Sequence, residues 1–325
     1  SALQGEAFWS PSRQGWEGQR RERMLERRAA QLAASAEAVD EHPLLVSSGP
    51  EQPQLERWLQ RQLSVDGERL QELRQRLWSD LSWQRTDRVL ILGGRSLLWS
   101  LDPLGSVAEG GLTILCSSST EQLRLEAQLQ LLDPLNQPAV LANAAALEQL
   151  SPDHLFEVVG GRLNQEDLKA PDLETFWARV SSRSASGAQL RLLLSEPQLG
   201  PAGGLLELLT HEREASKPRS LLQNLAALES SWLNQAEQRQ MLLSQLERCG
   251  WVTNQSSWQE SLKLSVEPSL IERWLGADRP YRRALEETGE ASEAALSELR
   301  GELLQQRGKP LPQSLRHWRI DGRLA

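Results

Sequence analysis

The chain has 325 residues, enough for one large domain or two smaller ones with a substantial core. Apolar residues at 39% and charged residues at 25% exclude a disordered tail. A formal net charge of -8 excludes a chain-wide nucleic-acid surface, since duplex affinity comes largely from Lys and Arg neutralising phosphates. Cys116 and Cys249 form neither a disulfide framework nor a metal-ligand pattern, which fits a reducing cytosol. No stretch approaches the ~18 uncharged apolar residues of a membrane span, and the N-terminus lacks a signal-peptide pattern, so the expected location is cytoplasmic. The chain opens at Ser1 without a Met, which is compatible with a piece of a longer protein and equally with processing. Its 12 Trp against 3 Phe and 1 Tyr make Trp the main large ring for cores and seams.

From Trp16 to Val39 the residues are charged, Ala-rich and free of Pro, predicting a helix. Arginines dominate it, among them Arg20, Arg21, Arg27 and Arg28; the plainer reading is a solvated, salt-bridged helix, and the alternative makes these arginines candidate contacts for DNA or a partner. Pro43, Pro50 and Pro53 then break the pattern and mark a boundary near residues 40–53. Leu55, Trp58, Leu59 and Leu63 follow at helical spacing, as do Leu70, Leu73, Leu77 and Leu81.

Strand and helix signals alternate next. Strand-like runs stand at 88–92, 112–116, 139–142, 156–159 and 189–194. A helix with Thr120 as its cap and another over Leu173–Ser182 lie between them. This alternation predicts a parallel sheet with helices on both faces, and ligands at the carboxyl ends of the strands where the order reverses. A long helix over Leu221–Arg248 is closed by Gly250, and 251–266 reads as two short strands around a turn at Gln255-Ser256-Ser257. The rest is helical, ending in a basic tail in which Arg316, His317, Arg319 and Arg323 surround Trp318. Arg316 and Arg319 could hold phosphates while Trp318 stacks a base; the plainer alternative is a tail docked by Trp318 and Ile320.

Five βα units, a helix and a closing hairpin resemble the class I S-adenosylmethionine-dependent methyltransferase fold, over residues 54–267. That resemblance implies a Rossmann-like, mostly parallel α/β sheet whose last strand is antiparallel, with helical additions at both ends. It also implies an acidic residue in the first strand, three alternating glycines after it, and acidic residues after the second and third strands. Here Ile91 stands at the first acidic position, Gly93 and Gly94 fit the turn, and Arg95 and Leu97 replace the later glycines. Ser117 or Ser118 falls where a carboxylate would take the ribose hydroxyls, and Asn143 where an acid would lie near the adenine. "VVGGRLNQ" stands where a DNA adenine methyltransferase carries its Asp/Asn-Pro-Pro-Tyr tetrad. The resemblance therefore implies a degenerate, non-catalytic scaffold with no favoured cofactor. An active enzyme would instead use S-adenosylmethionine at Gly93, Gly94, Ser117 and Asn143, acting on nucleic acid or protein.

Phe8-Trp9, Pro11, Gly15-Trp16-Glu17 and the arginines from Arg20 to Arg28 resemble the closing segment of the replication-associated recombination protein A (RarA) family of AAA+ ATPases. This implies that residues 1–40 are a helical remnant of the ATPase, 41–53 a linker, and 268–325 a helical cap and basic tail. The implied partners are the rest of the fused ATPase, with oligomerisation through it, and DNA or replication proteins. No Gly-x-x-x-x-Gly-Lys-Ser/Thr loop occurs, so this chain does not itself carry the motor.

Other chemistries find less. His42, His154, His211 and His317 have no second His or Cys at ligand spacing, so no metal site is expected. "GGRSLLW" is not a serine nucleophile elbow, and no carboxylate pair argues for glycoside chemistry. A dinucleotide-dependent hydride-transfer enzyme would share the sheet but needs the three-glycine turn.

Overall fold

The computed structural model describes residues 68–94, 96–130, 137–169, 172–211, 220–277, 279–289 and 291–325. The predicted basic helix and the helix around Leu55–Leu63 lie outside them. The described chain opens with a helix, α1 (68–78), whose Leu70, Leu73 and Leu77 recur at helical spacing and are all buried. Strand β1 (Val89–Leu92) follows, then a 3-10 turn (Leu97–Ser100), α2 (Leu101–Ser106), β2 (Leu112–Leu115), α3 (Ser119–Leu129) and β3 (Ala139–Leu141). A second 3-10 turn (Ala144–Gln149) leads to β4 (Phe156–Leu163), α4 (Gln165–Leu168), α5 (Leu173–Ser182) and β5 (Ser184–Pro197). Beyond these come α6 (Pro201–His211), α7 (Ser220–Leu233), α8 (Ala236–Arg248) and β6 (Trp251–Ser265). Three helices, α9 (Pro268–Leu275), α10 (Pro280–Glu287) and α11 (Glu293–Gln305), precede β7 (Pro310–Leu324).

The seven strands form one sheet in the order β3-β2-β1-β4-β5-β7-β6. β1 to β5 pair in parallel, while β7 runs antiparallel to both β5 and β6. This is the Rossmann-like sheet of class I methyltransferases, mostly parallel with its last strand reversed. The order reverses at β1, which puts the ligand crevice of such a sheet beyond the carboxyl ends of β1 and β4.

Two sequence expectations need correction. The turn expected at Gln255-Ser256-Ser257 is absent, because β6 runs unbroken from Trp251 to Ser265. Its hairpin partner is the stretch expected as a basic tail, which pairs with β6 from Trp251↔Leu324 to Ser265↔Pro310. Polar Gln255 to Ser257 resemble a turn only because β6 is an edge strand and exposes them. Two smaller differences concern helices. The single helix expected over Leu221–Arg248 is two, interrupted between Leu233 and Ala236, and α3 is capped by Ser118 rather than Thr120.

Each sheet face buries its own core. α1, α2 and α3 cover Val89, Ile91, Ile114, Val158 and Leu193, whereas α5 and α8 cover Leu90, Leu92, Val159, Leu190, Leu192 and Leu194. A third core joins α6, α7, α9, α10 and α11 into a helical layer fed by the carboxyl ends of β5 and β6. Trp99, Trp177, Trp251 and Trp274 are fully buried, as the Trp-rich composition suggested. No helix among the described residues is long and apolar enough to cross a membrane.

Candidate functional site

The crevice opens where β1 gives way to Gly93 and Gly94. Gly93 has φ +73, a conformation that favours glycine. A Cβ on Gly93 would come 2.3 Å from the Arg162 carbonyl oxygen on β4. One on Gly94 would come 2.7 Å from Cys116 Sγ and 3.0 Å from the Leu115 carbonyl oxygen on β2. Both glycines are thus required by close approach of neighbouring protein atoms. The Gly94 amide is also used internally, donating to Leu115 O at 3.1 Å.

Apolar packing continues past the turn. Ile91 is fully buried between Ile114 and Gly160 in adjacent strands, so the family's first acidic position is core. Ser96 Oγ caps the following 3-10 turn by accepting from Leu98 N at 3.1 Å. Leu97 is fully buried, with its N–H donating to Gln128 Oε1 at 3.0 Å. Trp99 is fully buried beneath the Arg162 guanidinium, 5.5 Å from its ring centre. Arg95 lies outside the described residues. Burial pushes the Cys116 thiol up to about 12, with Glu121 and Glu126 adding to the effect, so it stays a neutral wedge beside Gly94.

The polar candidates serve local capping. Ser117 N–H donates to Glu121 Oε2 at 2.7 Å, while Ser118 Oγ accepts from Glu121 N at 3.2 Å, a reciprocal cap at the start of α3. Asn143 Oδ1 accepts from Ala146 N at 3.2 Å and caps the second 3-10 turn. Gly93, Gly94, Ser117 and Asn143 therefore follow three adjacent strands at the same end of the sheet, each engaged by protein partners. The carboxylate that would take ribose hydroxyls is not supplied by Ser117 or Ser118, and the Cβ positions of both glycines are taken by protein atoms. Ile91, Ser117, Ser118 and Asn143 carry no charge with which to hold a nucleoside as the acidic positions of the resembled family would.

Arg20, Arg21, Arg27 and Arg28 lie outside the described residues. Arg316 and Arg319 are on β7, facing opposite sides of the sheet. Arg319 pairs with Asp321 at 3.0 Å and Asp80 at 3.4 Å, and donates to the Arg76 carbonyl at 3.0 Å. It thereby ties β7 to the end of α1. Trp318 donates to Glu196 Oε2 at 2.8 Å, under the Arg239 guanidinium 3.7 Å from its ring centre.

A polar chain that the sequence does not announce crosses the sheet near the crevice. Arg162 Nη2 donates to Ser195 Oγ at 3.3 Å, and Ser195 Oγ lies 2.9 Å from His317 Nδ1. His317 Nε2 lies 2.8 Å from Glu260 Oε2, which accepts from Arg69 Nη1 at 3.2 Å. Burial pushes the Glu260 carboxyl up, but His317 and Arg69 more than offset that and hold it below its usual value. No local spacing could reveal this chain, because its members come from α1, β4, β5, β6 and β7. A second missed residue is Glu229 on α7, buried against the start of α6, where it accepts from Ala202 N and Gly203 N, both at 2.7 Å. The glycine-rich stretch Gly200-Pro-Ala-Gly203-Gly204 after β5 was its only sequence signal, as a turn able to seat an anion.

No family profile matches the sequence, and no curated protein matches it. Among solved structures, the YcgJ protein from Bacillus subtilis is 12% identical, with 78% of this chain and 97% of that chain covered and a TM-score of 0.46. The precorrin-6y C5,15-methyltransferase from Geobacter metallireducens is 12% identical, covering 76% of this chain and 88% of its own at a TM-score of 0.39. A geranyl diphosphate methyltransferase, solved with S-adenosylmethionine, is 11% identical, covering 84% and 92% at a TM-score of 0.40. The fold assignment stands on strand order and orientation, not on these distant likenesses.

Proposed function

We propose that this chain is a non-catalytic, methyltransferase-like domain serving as an accessory module, with no bound nucleoside cofactor. The observation that carries the reading is the packing of Gly93 and Gly94: Arg162 O lies against the Cβ position of the first, and Cys116 Sγ and Leu115 O against that of the second, so both glycines serve strand packing. Buried Ile91 and the capping roles of Ser117, Ser118 and Asn143 support it. Each lost charged contact to a nucleoside would cost on the order of 1–3 kcal/mol. Together they take a micromolar affinity into a range without use.

The partner in this reading is a replication- or recombination-associated AAA+ ATPase joined through residues 1–53, and its support is the Phe8–Ala29 resemblance alone. Two measurements test the proposal. Calorimetry with S-adenosylmethionine and S-adenosylhomocysteine is expected to show no binding; micromolar affinity for either overturns the silent-scaffold reading. The coding sequence upstream of Ser1 is expected to specify a P-loop ATPase, and an unrelated upstream sequence removes the ATPase partner.

A further inference from the structure

The amino-terminal half of β5 carries an irregularity far from the crevice. Between the pairs Phe156↔Ser184 and Val158↔Gln189, β4 advances two residues and β5 five, so residues 185–188 bulge from the ladder. Gly187, within the bulge, has φ +77. Beside it lies a cavity of about 420 Å³ whose walls include Gln189, Arg191, Asn254, Asp321 and Arg323. They belong to two registered rows, Gln189–Arg323–Val252 and Arg191–Asp321–Asn254, on neighbouring β5, β7 and β6.

Charge is unbalanced there. Arg191 is buried, and its Nε lies 3.2 Å from Asp321 Oδ1. The same oxygen lies 3.0 Å from Arg319 Nε, so one carboxylate serves two guanidiniums. Arg319 has a second acid in Asp80, at 3.4 Å, but that side chain is exposed and screened. Arg323 brings a third guanidinium. It lies across Gly187, where a Cβ would come 3.4 Å from its Nη2, and it has no carboxylate partner among the described residues. Burial pulls Arg191 below its usual value; Asp321 opposes this and Arg319 adds to it. Surplus guanidinium charge, in a recess that also carries the amide groups of Gln189 and Asn254, is the donor set that recognises phosphate oxygens.

We propose that this cavity binds a phosphate group, with Arg191 and Arg323 as the ligating cations and Asp321 orienting Arg191. The phosphate is carried either by a small monoester or by a nucleic-acid strand. The site lies at the opposite end of the strands from Gly93, so it stands or falls independently of the cofactor reading.

The test is titration of the full chain at low ionic strength with inorganic phosphate, adenosine 5′-monophosphate and a short single-stranded deoxyoligonucleotide. Binding of at least one probe is expected. Arg323→Gln, on the exposed rim, should weaken it about tenfold or more with an unchanged melting temperature. Arg248→Gln, the same charge change at the exposed end of α8 on the other sheet face, should leave it intact. Tighter binding of the oligonucleotide than of the monophosphate, falling as salt rises, assigns the strand; the reverse order assigns the monoester. Failure of all three probes, wild-type affinity in Arg323→Gln, or equal loss in Arg248→Gln overturns the proposal.

Discussion

Trp78 and Gly160 interlock. A Cβ on Gly160 would come 2.8 Å from two atoms of the Trp78 ring, so the missing side chain of β4 is the slot for the last large residue of α1. Trp78 Nε1 donates to the Trp99 carbonyl at 3.0 Å, which joins α1 to the 3-10 turn after Gly93 and Gly94. The turn is thus braced from the sheet face opposite α5 and α8. Gly160→Ala should cost about 1–3 kcal/mol by overpacking, since the added carbon would also come 2.6 Å from the Arg191 carbonyl oxygen of the paired strand. Urea denaturation is the measurement, with a lower midpoint and an unchanged slope expected.

His317 is fully buried, with both ring nitrogens engaged by Ser195 and Glu260. His317→Leu keeps the volume roughly constant but leaves both partners short of a hydrogen bond. A loss of about 1–3 kcal/mol for each unpaired group is expected. A double-mutant cycle with Glu260→Gln should return a coupling of about 0.5–3 kcal/mol; strict additivity would mean that the two side chains do not stabilise one another.

Glu229 gives the fold a pH dependence of definite sign. Burial raises its carboxyl from 4.5 to about 7, opposed by hydrogen bonds from Tyr281 and from the backbone of Ala202, Gly203 and Gly200. The native state therefore holds this proton more tightly than the unfolded chain. Stability should fall as pH rises from about 4.5 to about 7 and level off above, by roughly 3 kcal/mol at 1.36 kcal/mol per unit. Denaturation across that range should show the slope in the wild type and its loss in Glu229→Gln. Tyr281→Phe removes a hydrogen bond that favours the carboxylate, so the upper end of the window should rise while its lower end, set by the unfolded chain, stays in place.

The cysteines should differ in reactivity. Cys116 is buried and its thiol stands at about 12, leaving little thiolate near neutrality. Cys249 is also raised by burial but is only half-buried. Iodoacetamide followed by mass spectrometry should find Cys249 modified first and Cys116 modified only on unfolding. Early alkylation of Cys116 would mean that the wedge beside Gly94 opens readily in the native state.

The sequence by itself determined the parallel half of the sheet. Buried runs such as Val89–Leu92 and Leu112–Leu115, separated by helical segments, mark the strands and their parallel sense, so β1–β2, β2–β3 and β4–β5 follow each other in the sheet as in the chain, while β4 returns to pair with β1. The Gly93–Gly94 turn was legible for the same local reason. Tertiary structure alone decided the closing hairpin: β7 pairs with β6 across three intervening helices and carries Pro310, Pro312 and many polar groups. Those groups look like a solvated tail until Glu260, Glu196 and Asp80 arrive from distant elements to meet His317, Trp318 and Arg319. It also decided what the glycines are for. Whether the space above a glycine receives a ligand or a neighbouring carbonyl depends on strand separation, and no single strand encodes that distance.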